Sequence, residues 1–268
     1  MFVPPLRHTA AMISLGLVLA ASPARADPAF ADVAELTIAA PVIVQATITK
    51  AERIADRDSP GLAPGSARIL VTAALDAALT APGPVPPQLS WLWDSPLDAR
   101  GKPPKPKGQK VMAWLAPPDA AGKTRLAGPD AQQPWTPALD AQVRAIATDA
   151  RSGQVPVITG VSNGFRADGT VPGESESQFF LSAADGRGAT LVVTARPGAQ
   201  RRITLARGDV IDESAATVRP GTLLWYRLAC TLPSTLPPAA GGADPALAAD
   251  WQAAIASLGP CGRSRPAR

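Results

Sequence analysis

The sequence is poor in the side chains on which many enzymes and metal sites depend. Its 268 residues include one histidine, two cysteines and one tyrosine. The histidine is His8, which lies in an N-terminal segment that we expect to be removed. Without His8, a Ser-His-Asp or Cys-His catalytic site is excluded, and so is a zinc or copper site built on imidazole. No metal or organic cofactor is expected.

Long apolar runs are also missing. The most apolar stretch, residues 10–21, follows Arg7 and His8 and is too short for a bilayer span, which needs about 20 residues. A small-x-small sequence, Ala24-Arg25-Ala26, comes next. This order predicts a secretory signal peptide over residues 1–26. We therefore expect an exported protein, periplasmic or secreted, with no transmembrane segment in its mature form.

The excess of positive over negative charge is also small. Removal of residues 1–26 takes away Arg7 and Arg25 and no acid, which lowers the formal net charge from +4 to +2. So small a charge gives no reason to expect a nucleic-acid partner. Proline, by contrast, is abundant, with 30 residues. Many prolines with several short β-branched runs favour a loop-rich, β-dominated fold.

The only two cysteines are Cys230 and Cys261. In an exported chain, an even pair is most simply explained as a disulfide. The alternative is a reactive or metal-binding pair, although the chain has no C-x-x-C spacing and no histidine outside the leader.

The patterns predict a mainly β protein with a few helices, of the α+β class. In the first half we predict a helix over 28–38, capped by Asp27, and strands over 41–48, 67–75, 88–94, 109–117 and 123–128. A helix that starts at Thr136-Pro137 and ends at Gly153 connects the halves. In the second half we predict strands over 154–161, 177–182, 189–195, 202–206 and 221–230, a glycine-rich loop over 163–175 and a helix over 245–258.

These elements suggest a division into domains. Residues 27–135 would form the first domain and residues 136–152 a connecting helix. Residues 153–268 would form a second antiparallel β domain with a C-terminal helix, which the Cys230–Cys261 disulfide would pin to the strand over 221–230.

The order of features in the first half resembles an OB-fold-like, five-stranded barrel of the netrin/TIMP-like kind. The resemblance covers residues 29–130 and depends on the stretches AAPVIVQATI, ARILVTAAL and KGQKVMAWL. Netrin-type modules carry cysteines near their N-terminus, whereas this half has none, so protease inhibition is not implied. The whole chain also resembles uncharacterised exported bacterial proteins, through GESESQFFLS and LLWYRLAC. That resemblance implies no activity.

The most unusual stretch is the Lys–Pro segment, residues 100–110, with five cations and no acid. Its prolines favour an extended backbone, so we expect a stiff basic finger between two strands. Lys102, Lys105, Lys107 and Lys110 are candidate ligands for an anionic envelope component, such as lipid phosphate or a polyanionic glycan. The alternative is a solvated loop whose charges keep an exposed strand edge from pairing with other chains.

A second candidate site is acidic. Glu174 and Glu176 would point the same way on an extended backbone. Two carboxylates are the minimum equipment of a glycosidase, provided that a second group converges on them. That second group would be Asp209, Asp212 and Glu213. Ordinary surface carboxylates are the alternative. Ser162, Ser175 and Ser177 lie near the same loop and are candidate nucleophiles of a serine hydrolase. The G-x-S-x-G motif of such enzymes is absent.

The sequence has six tryptophans but only one tyrosine. On exposed strands they could form a ligand platform, whereas core packing is the other explanation. In a strand over 221–230, Trp225 and Tyr226 would face opposite ways, so one of them could be an interface residue.

Three functions are compatible with these patterns. The first is a non-catalytic exported binding or interaction protein, possible partners being an anionic envelope component or an envelope protein. The second is a carboxylate-dependent hydrolase of envelope glycans. The third is an assembly factor or inhibitor that docks a protein partner through Trp225 or Tyr226.

Overall fold

The computed structural model describes residues 28–207 and 218–264. The predicted signal peptide and the acidic group Asp209, Asp212 and Glu213 lie outside these residues. Within these residues the fold is mainly β, with four α-helices and two antiparallel sheets. This confirms the predicted fold class.

The first sheet is a curled, five-stranded antiparallel half-barrel, which confirms the barrel-like sheet expected for the first half. Its strand order is β3-β2-β1-β4-β5, so β3 and β5 are the edges. The strands are β1 (Val42–Arg53), β2 (Ser66–Thr80), β3 (Gln88–Pro96), β4 (Lys110–Leu115) and β5 (Gln132–Pro134).

Both faces are buried along most of β4 and along the first part of β1, which explains why these stretches are largely apolar. Val44 and Ala113 belong to the cluster inside the curl. Ile43 and Trp114 point the other way, into a cluster formed with helices α1 (Phe30–Ala39) and α2 (Pro137–Ser152). The half-barrel is therefore filled inside and covered by helices outside.

The two helices differ in how well their starts were predicted. For α2 the prediction is confirmed, because the Thr136 side chain accepts a hydrogen bond from Leu139 N and Gly153 ends the helix with φ 65°. For α1 the predicted cap at Asp27 is wrong. The helix begins at Phe30, its N-cap is Ala29, and no side chain caps it.

The fifth strand was placed wrongly. Residues 123–128 make only two isolated bridges, one from Lys123 to Ser90 of β3 and one from Leu126 to Leu115 of β4. This segment crosses from β3 at one edge of the curl towards β4. It therefore does not lie alongside either strand for long enough to form a continuous set of backbone hydrogen bonds. The true β5 comes later and pairs with β4 through Gln132 and Gln133.

The second sheet has the order β6-β7-β8-β9 and is antiparallel throughout. The predicted loop over 163–175 is wrong in part, because β6 continues to Asp168 and only residues 169–174 turn the chain. A glycine can stand inside a strand where another backbone comes close, and Gly164 is in that situation beneath Ala240. The strands are β6 (Ile158–Asp168), β7 (Ser175–Ala183), β8 (Ala189–Ala195) and β9 (Arg202–Arg207).

The predicted strand over 221–230 is wrong: the chain forms helix α3 (Leu223–Ala229) there. Thr222 caps it by accepting a hydrogen bond from Trp225 N. The run LLWYRLA contains no β-branched residue, which favours a helix over a strand when an apolar run is short.

The C-terminal helix is confirmed as α4 (Pro245–Leu258), with Asp244 as its cap. The Cys230–Cys261 disulfide is also confirmed, with 4.9 Å between the Cα atoms. Since residue 230 ends a helix, the bond joins the end of α3 to the residues after α4, and not a strand to a helix.

The two halves of the chain are in contact. Leu223 of α3 is buried in the cluster that holds α1 and α2. Asp32 of α1 accepts hydrogen bonds from Ser264, and Glu35 forms an ion pair with Arg263 at 3.3 Å. The division into domains at 135 and 153 stays a prediction. No helix within the described part of the chain is long and apolar enough to cross a membrane.

Candidate functional site

The Lys–Pro segment lies across the open end of the half-barrel. Residues 100–109 belong to the loop between β3 and β4, as predicted, whereas Lys110 is the first residue of β4. Asp98 folds the start of the loop by accepting hydrogen bonds from the backbone N–H groups of Arg100 and Lys102. Pro106 is buried, so the proline side of the segment lies against the barrel and is not a free finger.

A groove of about 420 Å³ runs between this segment and the inner face of the sheet. We call it the lysine groove. Ala51 and Arg53 of β1 and Ile69 of β2 line one wall, and residues 102–107 line the other. Ile69 and the three prolines make the groove largely apolar, while the lysines place charge at its edge. The groove therefore combines an apolar surface with positive charge.

Three lysines of the groove have no counter-charge within the part of the chain that the structure describes. Lys102, Lys105 and Lys107 are exposed, and none of them forms an ion pair with any residue in 28–207 or 218–264. The fourth cation, Arg53, is paired with Asp56 at 3.0 Å. Unpaired charges crowded on one loop repel one another, and an anionic ligand would relieve that repulsion.

Cations elsewhere on the same sheet are neutralised. Arg68 of β2 donates two hydrogen bonds of 2.7 Å to Asp94 of β3. These hydrogen bonds hold the pKa of Asp94 below its usual range, and the positive charge of Arg68 adds to the effect. Among the described residues, the cations on the strands of this sheet are thus paired with acids, whereas the three lysines of the groove are not.

Lys110 does not join the other three lysines. Its ammonium lies 3.8 Å from an oxygen of Asp76 and 5.2 Å from the centre of the Trp135 ring. Both contacts stabilise a positive charge, so Lys110 is held by contacts on the sheet and does not line the groove.

The acidic pair lies on the second sheet. Glu174 and Glu176 line a groove of about 360 Å³ at the β6–β7 turn, together with Asp168 and Arg196. Glu176 accepts a hydrogen bond from Gln178, and Asp168 is paired with Arg166 at 3.0 Å. Asp209, Asp212 and Glu213, the second group of the predicted acidic site, lie outside the described residues.

Two of the three serines near this loop have structural partners. Ser177 donates a 2.7 Å hydrogen bond to Asp250 of α4, and Ser162 donates to the backbone oxygen of Phe180. Asp250, 1% exposed, also accepts from Arg166 and Arg201. Sequence reasoning missed this network around a buried carboxylate, because its members come from β6, β7, α4 and the residue before β9.

Most tryptophans are core residues. Trp91, Trp114 and Trp251 are at most 1% exposed, which confirms the packing explanation for them. Trp91 lies inside the curl, whereas Trp114 faces the helices, so the two do not share a barrel face.

Trp225 and Tyr226 also belong to the interior. Trp225 is 8% exposed, its ring packs edge-on against Phe30, and its N–H donates to Leu258 O at 2.7 Å. Tyr226 is half-buried and packs against the cluster around α1 and α2 and also against the apolar core between the second sheet, α3 and α4. On a helix neighbouring residues point about 100° apart, so both can be partly buried, which a one-sided strand would not allow.

A second cavity, of about 350 Å³, lies beside the lysine groove, and we call it the mouth cavity. Pro103 and Pro104 line both cavities and separate them. The mouth cavity is bounded by Trp93 and Ser95 of β3, Gln109 and Val111 near the start of β4, and Gln132 and Pro134 of β5. It could not be predicted from sequence, since its walls come from strands that are distant along the chain.

Comparison with known proteins adds no family to these observations. No family model matches the chain, and no curated protein matches its sequence.

Proposed function

We propose that this protein is an exported, non-catalytic binding protein whose lysine groove holds an anionic ligand with an apolar portion, such as an acidic lipid. The observation that supports this most directly is a set of three lysines, Lys102, Lys105 and Lys107, which form no ion pair within the described residues and lie beside a largely apolar groove. An exported protein with this surface would meet acidic lipids in the cell envelope.

The chemistry of the groove favours a lipid over a polyanionic glycan. A glycan would offer negative charge but little apolar surface to lie against Pro103 and Pro104, which are only partly buried. A lipid headgroup can pair with the ammonium groups while acyl carbons lie on the apolar wall. Each lysine close to an anionic membrane surface contributes about 1 kcal/mol of binding free energy.

Vesicle binding tests the proposal. The chain without residues 1–26 is mixed with vesicles of phosphatidylcholine, with or without phosphatidylglycerol, and the bound fraction is measured by sedimentation. We expect binding to the acidic vesicles at about 0.05 M salt and its loss near 0.5 M, because salt screens exposed charges. Substitution of Lys102, Lys105 and Lys107 by Gln should weaken binding about 100-fold.

A matched variant separates the groove from net charge. Gln in place of Lys123, Arg125 and Arg196 removes the same number of charges away from the groove. These three cations also have no ion-pair partner within the described residues. An equal loss in both triple variants would show non-specific charge attraction only. Equal binding to neutral vesicles, or no binding at low salt, would contradict the proposal.

A further inference from the structure

The mouth cavity lies where the two edges of the half-barrel approach each other. Trp91 of β3 donates a 2.8 Å hydrogen bond from its indole N–H to the side-chain oxygen of Gln132 of β5. This bond connects the two edge strands and forms the base of the cavity. Trp93 and Ser95 continue the inner face of β3 towards the open end.

The Trp91 bond fixes which way the Gln132 amide points. An indole N–H can only donate, so it must contact the carbonyl oxygen of Gln132 and not its amino group. Gln132 is 6% exposed and lines the cavity. Its amino group has no hydrogen-bond partner among residues 28–207 and 218–264. An oriented donor therefore faces the cavity from a largely buried side chain.

The remaining walls suit an uncharged ligand. None of the residues that line the mouth cavity is a lysine or an arginine. Its carboxylate, Asp98, already accepts two backbone hydrogen bonds. Gln109 and Ser95 add groups that can donate and accept, and Trp93, which is half-buried, offers an aromatic surface.

We infer that the mouth cavity binds one sugar ring of an uncharged glycan. A pyranose ring has a C–H face that packs on an aromatic ring and hydroxyl groups that both donate and accept. The cavity supplies both kinds of partner, and its volume falls in the usual range for small-molecule sites. Trp93 packs against the ring, and the Gln132 amino group donates to a hydroxyl oxygen. This site is separate from the lysine groove and does not depend on the proposed lipid binding.

Calorimetric titration with neutral oligosaccharides tests the inference. Chitotriose, cellotriose and maltotriose are titrated separately into the chain without residues 1–26. We expect at least one of them to bind. Trp93→Leu removes the aromatic surface, and Gln132→Glu keeps an acceptor for Trp91 while it removes the donor. Each should weaken binding about tenfold, the loss expected for one such contact.

Two controls keep the outcome clear. Trp135→Leu changes a half-buried tryptophan outside the cavity and should leave sugar affinity unchanged. The variant with Gln at Lys102, Lys105 and Lys107 should also keep it, whether or not that variant loses vesicle binding. The unfolding midpoint of every variant is measured, so that loss of fold is recognised. If none of the three sugars binds, or if Trp93→Leu and Gln132→Glu bind as the parent does, the inference is wrong.

Discussion

Asp250 is a buried acidic residue of the second half, and its carboxylate needs positively charged or hydrogen-bonding partners. It is 1% exposed, and the side chains of Arg166, Arg201 and Ser177 all donate to its carboxylate. Two arginines for one acid leave positive charge in excess, which Asp168 reduces by pairing with Arg166. The network joins α4 to the second sheet through charge-assisted hydrogen bonds, so its value is structural.

Replacement of Asp250 by Asn should destabilise the protein by about 3 kcal/mol. The change leaves the two guanidinium groups without their main counter-charge in a partly buried site, and breaking a buried pair on one side is costly. Urea unfolding at neutral pH measures the loss. Glu52→Gln, which breaks the exposed Lys50–Glu52 pair, should cost less than about 1 kcal/mol. Equal midpoints for the two variants would refute the structural role.

At the scale of elements, β6 shows how one residue admits a neighbouring segment. A Cβ atom at Gly164 would lie 2.8 Å from Ala240 O and 3.0 Å from a methyl of Leu247. The short turn of helix over Pro238–Ala240 and the start of α4 therefore pack directly on the strand backbone. Gly160, in the same strand, has no atom within 4 Å of its Cβ position.

Gly164→Ala should destabilise the protein by about 1–3 kcal/mol, because a backbone oxygen and a packed side chain would have to move. Gly160→Ala should be neutral or slightly stabilising, since it adds a methyl in open space and reduces the freedom of the unfolded chain. Thermal unfolding of the two variants compares the same chemical change at two positions of one strand. A midpoint for Gly164→Ala that matches the parent would show that the contact is not close in solution.

The elements that sequence could predict are those with local signals. The capping residues Thr136 and Asp244 predict the starts of α2 and α4. The alternation of apolar and polar residues predicts β1 and β2. Helix α3 was mistaken for a strand because a seven-residue apolar run has no clear period. The short β5 was missed because it carries no apolar pattern and is defined by its pairing with β4.

The candidate sites divide in the same way. The lysines of the groove are neighbours in sequence, so the sequence alone predicts their cluster of charge. Gln132 and Trp93 are distant in sequence, and only the curl of the sheet brings them to one cavity. Side chains that are brought together by the curvature of a sheet have no characteristic spacing in the sequence, so the sequence alone does not predict their contact.

At the scale of the whole molecule, the C-terminal residues hold the two halves together. Cys261 is bonded to Cys230, and the next residues reach α1, where Arg263 pairs with Glu35 and Ser264 donates to Asp32. The disulfide therefore restrains α3 and α4 and also the segment that contacts the first half. By contrast, the apolar cluster inside the half-barrel contains no residue of α3, α4 or the segment 261–264.

Replacement of both cysteines by serine should cost about 3–4 kcal/mol in the chain-entropy model, for a sequence separation of 31 residues. Because the bond lies far from β1 and β4 along the chain, the loss should be uneven. Amide hydrogen exchange should speed up in α3 and α4 far more than in β1 and β4 when the variant is compared with the parent at neutral pH. Uniform acceleration in both regions would show that the two halves unfold as one unit, and unchanged exchange in α3 and α4 would show that their packing does not need the bond.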